Sequence, residues 1–287
     1  MIINCYAKVN LFLEVINKRS DGYHDIDTVF ERINLFDTLR LLVLPDKKIE
    51  ITSNCRNLPC DKSNLAYRSA ELLQNAYNVK KGIKITITKR IPIGSGLGGG
   101  SSDAAGVLLG LNRLWRLNLS QKELVALARQ VGSDVAFFVY NVSFARGKAK
   151  GDKITPIKPN GKVCFWHIVV VPRLFVSTPE IYKEWDNRLR LTIPKYNVKL
   201  LILRLDKMAA LPAKMLFNGL QDVTVRLYPQ VRLVKQALFK LGIVSNLMSG
   251  SGPAVFGIVS SRKEAFYLSR QLKKKNKDWR IFVAKTI

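Results

Sequence analysis

Cysteine and histidine are scarce in this chain of 287 residues, which has four cysteines and two histidines. The cysteines are Cys5, Cys55, Cys60 and Cys164, and their spacing does not match that of a zinc site. A single Cys-x4-Cys pair in a chain with so few histidines would be a poor metal site. We therefore expect reduced, buried thiols.

Long apolar runs are also missing. The longest, from Val163 to Pro172, has about ten residues and contains His167, whereas a helix that spans a bilayer needs about 20. The N-terminus has no basic segment followed by an apolar stretch and a cleavage site, as a signal peptide would have. We therefore predict a cytoplasmic protein without a membrane partner.

Acidic residues are few compared with basic ones, 21 against 47, so the net charge is +26. This charge predicts attraction to polyanions but does not identify them. A solvated basic surface, nucleic-acid binding and binding of nucleotide or diphosphate substrates all fit it. Basic residues are spread over the whole chain, with the densest run at residues 273–277, and this spread favours the first interpretation.

The apolar content of 47% can fill the core of one large or two modest domains and argues against intrinsic disorder. We find no internal repeat and no low-complexity tail. Pro159-Asn160-Gly161 lies in a turn-rich segment and is the best candidate for a domain boundary. We predict an N-terminal domain over residues 1–158 and a C-terminal domain over residues 159–287.

Glycine is concentrated in one stretch, where five glycines occupy the seven positions from 94 to 100. Such a backbone can approach a bound group closely, and free N–H groups at a helix start favour a phosphate. Apolar spacing predicts a strand before this glycine loop and a helix after it, through Ile83, Ile85 and Ile87, then Ala104, Leu108, Leu111 and Trp115. The order strand, glycine loop, helix indicates a phosphate site rather than a flexible linker.

Two other short stretches could belong to a site. In the strand predicted for residues 2–16, Lys8 and Asn10 share one face with Phe12, opposite Val9 and Leu11. A lysine in a strand most often faces solvent. The turn around Asp21-Gly22 carries a Tyr-His pair, which is either ordinary surface or a means of recognising a flat base.

The remaining pattern predicts further elements. A helix over residues 65–77 has Ser63 or Asn64 as its N-cap, and Ser120 begins a capping box for a helix that ends at Gly132. Asp134, just after it, is either a helix cap or an acid held at a buried site. The second half predicts a strand to residue 171, a turn at 178–179, a basic amphipathic region at 182–210, helices from 229 and 263, and a strand at 280–284.

The glycine loop lacks the Gly-Lys-Ser/Thr ending of a P-loop and a convincing Gly-x-Gly-x-x-Gly unit with its ribose-binding acid. Its pattern, Pro-x-Gly-x-Gly-Leu-Gly followed by Ser-Ser-x-Ala-Ala, resembles the phosphate loop of the GHMP kinases. Gly99-Gly100 and Asp103 resemble one branch of that superfamily, the 4-diphosphocytidyl-2-C-methylerythritol kinases. Segments 7–13, 21–24, 132–134 and 248–256 also resemble this branch, so the resemblance covers nearly the whole chain.

The resemblance implies a two-domain α+β GHMP kinase fold, with a ribosomal S5 domain 2-like N-terminal domain, a ferredoxin-like C-terminal domain and the active site in the cleft between them. It also implies that ATP, with Mg²⁺, phosphorylates the 2-hydroxyl of 4-diphosphocytidyl-2-C-methylerythritol in non-mevalonate isoprenoid synthesis. Asp134 would accept the hydroxyl proton, and Lys8 would neutralise charge on the moving phosphoryl group. The substrate-binding residues would be Asn10, Tyr23, His24 and Tyr182, the two tyrosines lying on opposite faces of the cytosine.

The residues implied for ATP are Asn64, Leu65, Lys89, Pro92, Gly94, Ser95, Gly96, Leu97, Gly98, Gly99, Gly100, Ser101 and Ser102. Ser102 is also the implied magnesium contact. Residues 149–152, Ala-Lys-Gly-Asp, depart from the Gly-x-Gly-Glu turn of relatives.

Two alternatives compete with this function. A homoserine or mevalonate type of GHMP kinase is disfavoured by the Tyr-His turn, because those substrates offer no base to stack on Tyr23. A basic nucleic-acid-binding protein would explain the charge, but the resemblance implies no obligatory nucleic-acid partner. Monomer and homodimer both remain open.

Overall fold

The computed structural model describes residues 1–187, 198–207 and 211–287. Its strands are β1 (Ile2–Lys18), β2 (His24–Leu44), β3 (Ile49–Ser53), β4 (Gly82–Thr88), β5 (Phe144–Lys148), β6 (Lys153–Ile157), β7 (Trp166–Val171), β8 (Phe217–Asn218), β9 (Asn246–Met248), β10 (Val255–Val259) and β11 (Arg280–Lys285). Its helices are α1 (Leu65–Ala76), α2 (Gly99–Leu114), α3 (Gln121–Val131), α4 (Val135–Tyr140), α5 (Thr178–Asp186), α6 (Val198–Asp206), α7 (Gln221–Leu227), α8 (Pro229–Lys240) and α9 (Arg262–Lys275), with a 3₁₀ turn at Ala213–Met215. This mixture confirms the predicted α+β class.

The first sheet is built around the long antiparallel pair β1 and β2. Its order is β3-β4-β2-β1-β8, and β5 with β6 adds a branch beside β2. Strand β2 pairs with β5 through Thr28–Glu31 and with β4 through Thr38–Leu44, so one strand serves two parts of the sheet. Strand β8, from the second half of the chain, pairs in parallel with β1 at Phe12 and Leu13.

Helices α1 to α4 cover one face of the first sheet, and α2 lies closest to it. A Cβ at Gly106 would lie 2.4 Å from Cys5 Sγ, and a Cβ at Gly110 would lie 2.4 Å from Leu41 Cδ1. Both distances are too short for any side chain, so glycine at these positions allows α2 to approach the sheet. This close packing fixes the start of α2, where the glycine loop ends.

The second sheet is antiparallel, in the order β11-β7-β10-β9. Helices α8 and α9 pack on it through Val231, Val234, Leu238, Ala265 and Leu268, which are buried. A further buried cluster joins the two sheets, because Val9 and Phe12 of β1 pack in it with Val169 and Phe256 of the second sheet. The boundary predicted at residue 159 lies between β6 and β7 and remains a prediction.

Strand β1 contains a bulge that the alternating pattern did not predict. Asn10 pairs with Phe30 and Phe12 pairs with Val29, so Leu11 is an extra residue in β1. The prediction that Phe12 shares a face with Lys8 and Asn10 is therefore wrong, since Phe12 is fully buried in the cluster that contains Val9. A bulge changes the direction of the side chains that follow it.

Other predictions need smaller corrections. The turn predicted at residues 178–179 is the first turn of α5, where Ser177 is the N-cap and proline needs no N–H donor. The basic region predicted for residues 182–210 includes the end of α5 and all of α6, while residues 188–197 and 208–210 lie outside the described residues. All four cysteines are free, but Cys60 and Cys164 are exposed, so the prediction of buried thiols is wrong for these two. No helix in the described part of the chain is long and apolar enough to cross a bilayer.

Candidate active site

A cavity of about 710 Å³ lies where the glycine loop, the β1–β2 turn and helices α4 and α5 meet. We call it the main cavity. Its volume is typical of small-molecule sites. Its lining includes ten of the predicted site residues: Lys8, Asn10, Tyr23, His24, Leu65, Gly96, Gly98, Ser101, Asp134 and Tyr182. Residues distant in sequence thus meet around one space.

Lys8 is a buried cation that lines this cavity. Strand β1 carries it, and its side chain is 4% exposed, so it does not face solvent. The Nζ group lies 3.3 Å from Asp134 Oδ2 and donates a hydrogen bond of 2.7 Å to Asn10 Oδ1. The amide of Asn10 in turn donates to Thr28 Oγ1 at 2.9 Å. These contacts fix the ammonium in one position.

Asp134 immediately precedes helix α4, but its side chain makes no capping hydrogen bond to that helix. Its carboxylate is 30% exposed and lies beside Lys8. The buried residues Val135 and Phe138 hold α4 against the core. Of the two alternatives for Asp134, the geometry favours an acid held at a site, because the carboxylate is paired with a cation and open to the cavity.

The glycine loop has a backbone that ordinary residues rarely adopt. Gly94, Gly96 and Gly98 have φ angles of +63°, +77° and +71°. Gly98 is the N-cap residue of α2, with no side-chain cap, so the N–H groups of the first helical turn remain available to an anion. The backbone N–H of Lys8 donates to the Leu97 carbonyl at 2.9 Å, which ties the loop to β1.

The turn between β9 and β10 packs directly on the glycine loop. Ser249 Oγ donates to the Gly96 carbonyl at 2.9 Å, and the N–H of Ala254 donates to the Ser95 carbonyl at 3.1 Å. A Cβ at Gly96 would lie 2.1 Å from the Ser249 carbonyl oxygen. The sequence pattern included this turn in the resemblance but assigned no role to Ser249.

Aromatic rings line the opposite end of the main cavity. Tyr23 is 56% exposed, and Lys150 Nζ lies 4.7 Å from the centre of its ring. His24 is buried and stacks on Tyr182 with ring centres 4.7 Å apart. The two tyrosines therefore have other partners in this structure, and the cytosine sandwich remains a prediction.

Asp186 also lines this end of the main cavity, and the sequence pattern did not predict it. His24 Nε2 donates to its carboxylate at 2.6 Å, and Lys18 Nζ donates to it at 2.7 Å. Burial alone would raise the pKa of Asp186, but the hydrogen bonds from His24 and Lys18 outweigh it and lower that pKa. No local pattern indicated this acid, since it lies 162 residues from His24.

Several residues implied for ATP have structural contacts instead of a place in the cavity lining. Asn64 is the N-cap of α1 and accepts a hydrogen bond from the N–H of Ala66 at 2.9 Å. Ser95 Oγ donates to the Pro92 carbonyl at 2.6 Å, within the glycine loop. Ser102 is buried and lines a separate cavity, whereas its neighbour Ser101 lines the main one. Roles for these side chains at ATP remain predictions.

Lys89 lies in a buried ionic cluster beneath the glycine loop. Its Nζ donates to the carboxylates of Asp37 and Asp103, and Asp37 also accepts hydrogen bonds from the N–H groups of Arg90 and Ile91. Burial works against the Lys89 charge, but the two acids outweigh it and raise the Lys89 pKa. The cluster joins β2, the segment before the glycine loop and the N-terminal half of α2, so it supports the loop.

Replacing Asp103 is expected to change how stability depends on pH. Burial raises the pKa of Asp103 to about 7, although Lys89 opposes the shift. A raised pKa favours the protonated folded state, so this contribution is present at acid pH and is lost as the pH rises from about 4 to 7. Between pH 5 and pH 8 the unmodified protein should lose about 2 kcal/mol relative to Asp103→Asn. Urea unfolding followed by tryptophan fluorescence measures the difference, and parallel pH curves would contradict it.

Comparison of the sequence with known protein families agrees with this arrangement. The pattern of the GHMP kinases N terminal domain matches residues 64–141, and that of the GHMP kinases C terminal matches residues 201–278. The first range contains the glycine loop and Asp134, and the second contains the turn that packs on the loop. The predicted family is therefore confirmed for both halves of the chain.

Individual relatives narrow the family further. A 4-diphosphocytidyl-2-C-methyl-D-erythritol kinase of Geobacillus sp. (strain WCH70) is 42% identical over 93% of this chain and 91% of its own. A crystal structure of 4-(cytidine 5'-diphospho)-2C-methyl-D-erythritol kinase matches with a TM-score of 0.83 and 33% identity, covering 99% of this chain and 98% of the other. A homoserine kinase from Cytophaga hutchinsonii, at 22% identity and a TM-score of 0.75 over 100% and 94% of the two chains, shares the fold. The chain therefore belongs to the 4-diphosphocytidyl-2-C-methyl-D-erythritol kinase family of GHMP kinases and is an ATP-dependent kinase.

Proposed function

We propose that this kinase transfers the γ-phosphate of ATP to the 2-hydroxyl of 4-diphosphocytidyl-2-C-methyl-D-erythritol. The observation that carries this proposal is the Lys8–Asp134 pair, 3.3 Å apart between the glycine loop and the aromatic end of one cavity. Phosphoryl transfer needs positioning and stabilisation of charge more than covalent participation by the protein. A paired acid and cation between a phosphate loop and a base-sized aromatic end meet that need.

Each group has a defined part in this scheme. The Asp134 carboxylate is open to the cavity and accepts the proton of the substrate hydroxyl as the phosphoryl group moves. The Lys8 ammonium stabilises negative charge on that group, and Asn10 holds the ammonium in place. Backbone N–H groups at the start of α2 bind the phosphates of ATP.

We propose that magnesium enters mainly on the phosphates of ATP. The described residues contain no group of three or more histidine, cysteine or acidic side chains that could hold a metal ion. This fits Mg²⁺, which keeps several waters and usually binds through substrate phosphates and one or two protein groups. Ser101 lines the main cavity and could supply a hydroxyl there, while Ser102 faces the separate cavity. The ion would neutralise charge on the phosphate oxygens.

Turnover with different acceptors tests the proposal. We expect ADP release from ATP only when the cytidine diphosphate alcohol is supplied, and not with homoserine or mevalonate. The product should carry its new phosphate on the 2-hydroxyl, which ³¹P and ¹³C NMR can locate. If the protein turned over no such acceptor and instead bound RNA with an affinity that fell steeply with salt, nucleic-acid binding would replace the kinase function.

Tyr23→Ala is expected to weaken binding of the cytidine substrate. The Tyr23 ring is exposed at the mouth of the main cavity, where a base can stack on it once Lys150 moves aside. Loss of stacking should raise KM for this substrate by about 5- to 160-fold, corresponding to ~1–3 kcal/mol. Tyr23→Phe keeps the ring and should retain most of the affinity, and Tyr267→Ala, on the exposed face of α9, is a matched control. An unchanged KM in Tyr23→Ala would rule out stacking on this ring.

A further inference from the structure

A second cavity of about 370 Å³ lies on the other side of the start of α2. Residues of β1, β2, α2 and the end of α4 surround it, and none of its lining residues also lines the main cavity. Two arginines line it, Arg32 and Arg113, and its lining includes no acidic residue. The proposed kinase reaction assigns no function to this space.

Arg32 is held in a fixed orientation but lacks a counter-ion. One of its terminal nitrogens donates to the side-chain oxygen of Asn141, and its guanidinium lies over the Tyr6 ring at 5.6 Å. Its Nε atom is buried without a hydrogen-bond partner in the described structure, and no described acid forms an ion pair with it. Burial also lowers the pKa of Arg32. The guanidinium is half-buried, and a partly desolvated cation is stabilised when an anion accompanies it.

Arg113 adds a second positive charge from the last turn of α2. Its side chain is exposed at the edge of the cavity. No acidic side chain that the structure describes forms an ion pair with it. The Ser102 hydroxyl lines the same space. Guanidinium groups bind phosphate oxygens through several hydrogen bonds at once, and they do so more strongly when desolvated.

We propose that the second cavity binds a small phosphate-bearing anion, such as an inorganic or organic diphosphate, with Arg32 as the half-buried contact and Arg113 as the exposed contact. The anion supplies the counter-charge that the Arg32 guanidinium lacks. The cavity volume lies within the range of small-molecule sites.

Binding in the second cavity would affect the conformation of the glycine loop, because residues at the start of α2 line both cavities. Ser101 lines the main cavity and Ser102 lines the second one, at the start of the same helix. Phe138 also lines the second cavity, and its ring lies 2.9 Å from where a Cβ of Gly98 would stand. An anion in the second cavity would therefore lie against the same helix start that we assign to the phosphates of ATP.

Inorganic pyrophosphate is the probe for the test, measured by calorimetry at physiological ionic strength. A non-hydrolysable ATP analogue, present at saturation, occupies the glycine loop so that pyrophosphate cannot bind there. We expect one further pyrophosphate to bind per chain. Arg32→Gln should weaken it about 10-fold or more and Arg113→Gln by about 3- to 10-fold, because hydrogen bonds to charged groups are lost.

Arg40→Gln is the matched control, since Arg40 is an exposed residue of β2 that lines neither cavity. It should leave pyrophosphate affinity unchanged. Thermal melting checks that Arg32→Gln folds. If it does not, Arg113→Gln provides the test, because the exposed Arg113 side chain is not needed for folding. Loss of all pyrophosphate binding with the ATP analogue present, or equal affinity in Arg113→Gln and the unmodified protein, would overturn the proposal. Either result would leave the kinase assay unaffected.

Discussion

Asp134→Asn should lower kcat by on the order of 10²–10⁴-fold while leaving ATP affinity nearly unchanged. The substitution preserves the size of the side chain but removes its ability to accept a proton. Asp134 makes no capping hydrogen bond to α4, so the helix does not depend on its carboxylate. The variant should therefore fold normally, and the loss should appear in the chemical step.

Single-turnover kinetics with the cytidine substrate measures that step directly, and fluorescence titration measures nucleotide affinity. Asp278→Asn is a suitable control because Asp278 is exposed and outside the main cavity. A rate within a few-fold of the unmodified enzyme would show that Asp134 orients the hydroxyl without accepting its proton. An equal loss in the control would point to a general effect of charge.

Lys8→Met is expected to lower kcat by about 10²–10³-fold, the usual effect of removing one group that stabilises a transition state. Methionine is long and apolar, so it can occupy the space of the lysine side chain, whose Nζ group lies 5.4 Å from the centre of the Phe30 ring. What disappears is the positive charge between Asp134 and Asn10. The energetic loss should be larger in the transition state than in substrate binding, so KM should change less than kcat.

Lys84→Met provides the matched control, since Lys84 lies on β4 with its side chain 43% exposed. It changes the net charge by the same amount but lies outside the main cavity. Comparing kcat and KM of the two variants separates the local effect from the loss of one positive charge. A Lys8→Met enzyme with a changed KM and a normal kcat would assign Lys8 to ground-state binding.

Local features of the fold were predictable because they depend on neighbouring residues. The alternation at Ile83 and Ile85 predicted β4, and both residues are fully buried. The capping box of Ser120 and Glu123 is present with both of its hydrogen bonds. Asn64 caps α1, as one of the two candidates for that position. In each case a short pattern contains the physical cause of the structure.

Features that depend on distant residues could not be predicted in the same way. The bulge at Leu11 depends on how β2 pairs with β1, so the sequence of β1 alone does not predict it. The ion pairs of Lys89 with Asp37 and Asp103, at 52 and 14 residues away, also depend on distant residues, and a contact of Lys89 with ATP remains a prediction. The partner of His24 is likewise remote. Long-range ion pairs leave no periodic trace in a sequence.

Part of the positive charge lies beside the site. Lys18, Lys150 and Lys183 line the main cavity near its aromatic end. Cations at the entrance of a cleft raise the local concentration of an anionic substrate. Most of the positive charge can therefore form a solvated basic surface, while the lysines at the main cavity attract diphosphates.

The contact between Ser249 and the Gly96 carbonyl determines when, during synthesis of the chain, the phosphate site can be completed. Ribosomes release a chain from its N-terminus, and domains tend to fold as they emerge. The glycine loop, Lys8 and Asp134 emerge early, but the turn that packs on the loop, with Ala254 bonded to Ser95, is made well after them. A nascent chain would thus carry the reacting groups before it has a finished phosphate site, and phosphorylation would begin only after this turn has been made and has packed on the loop.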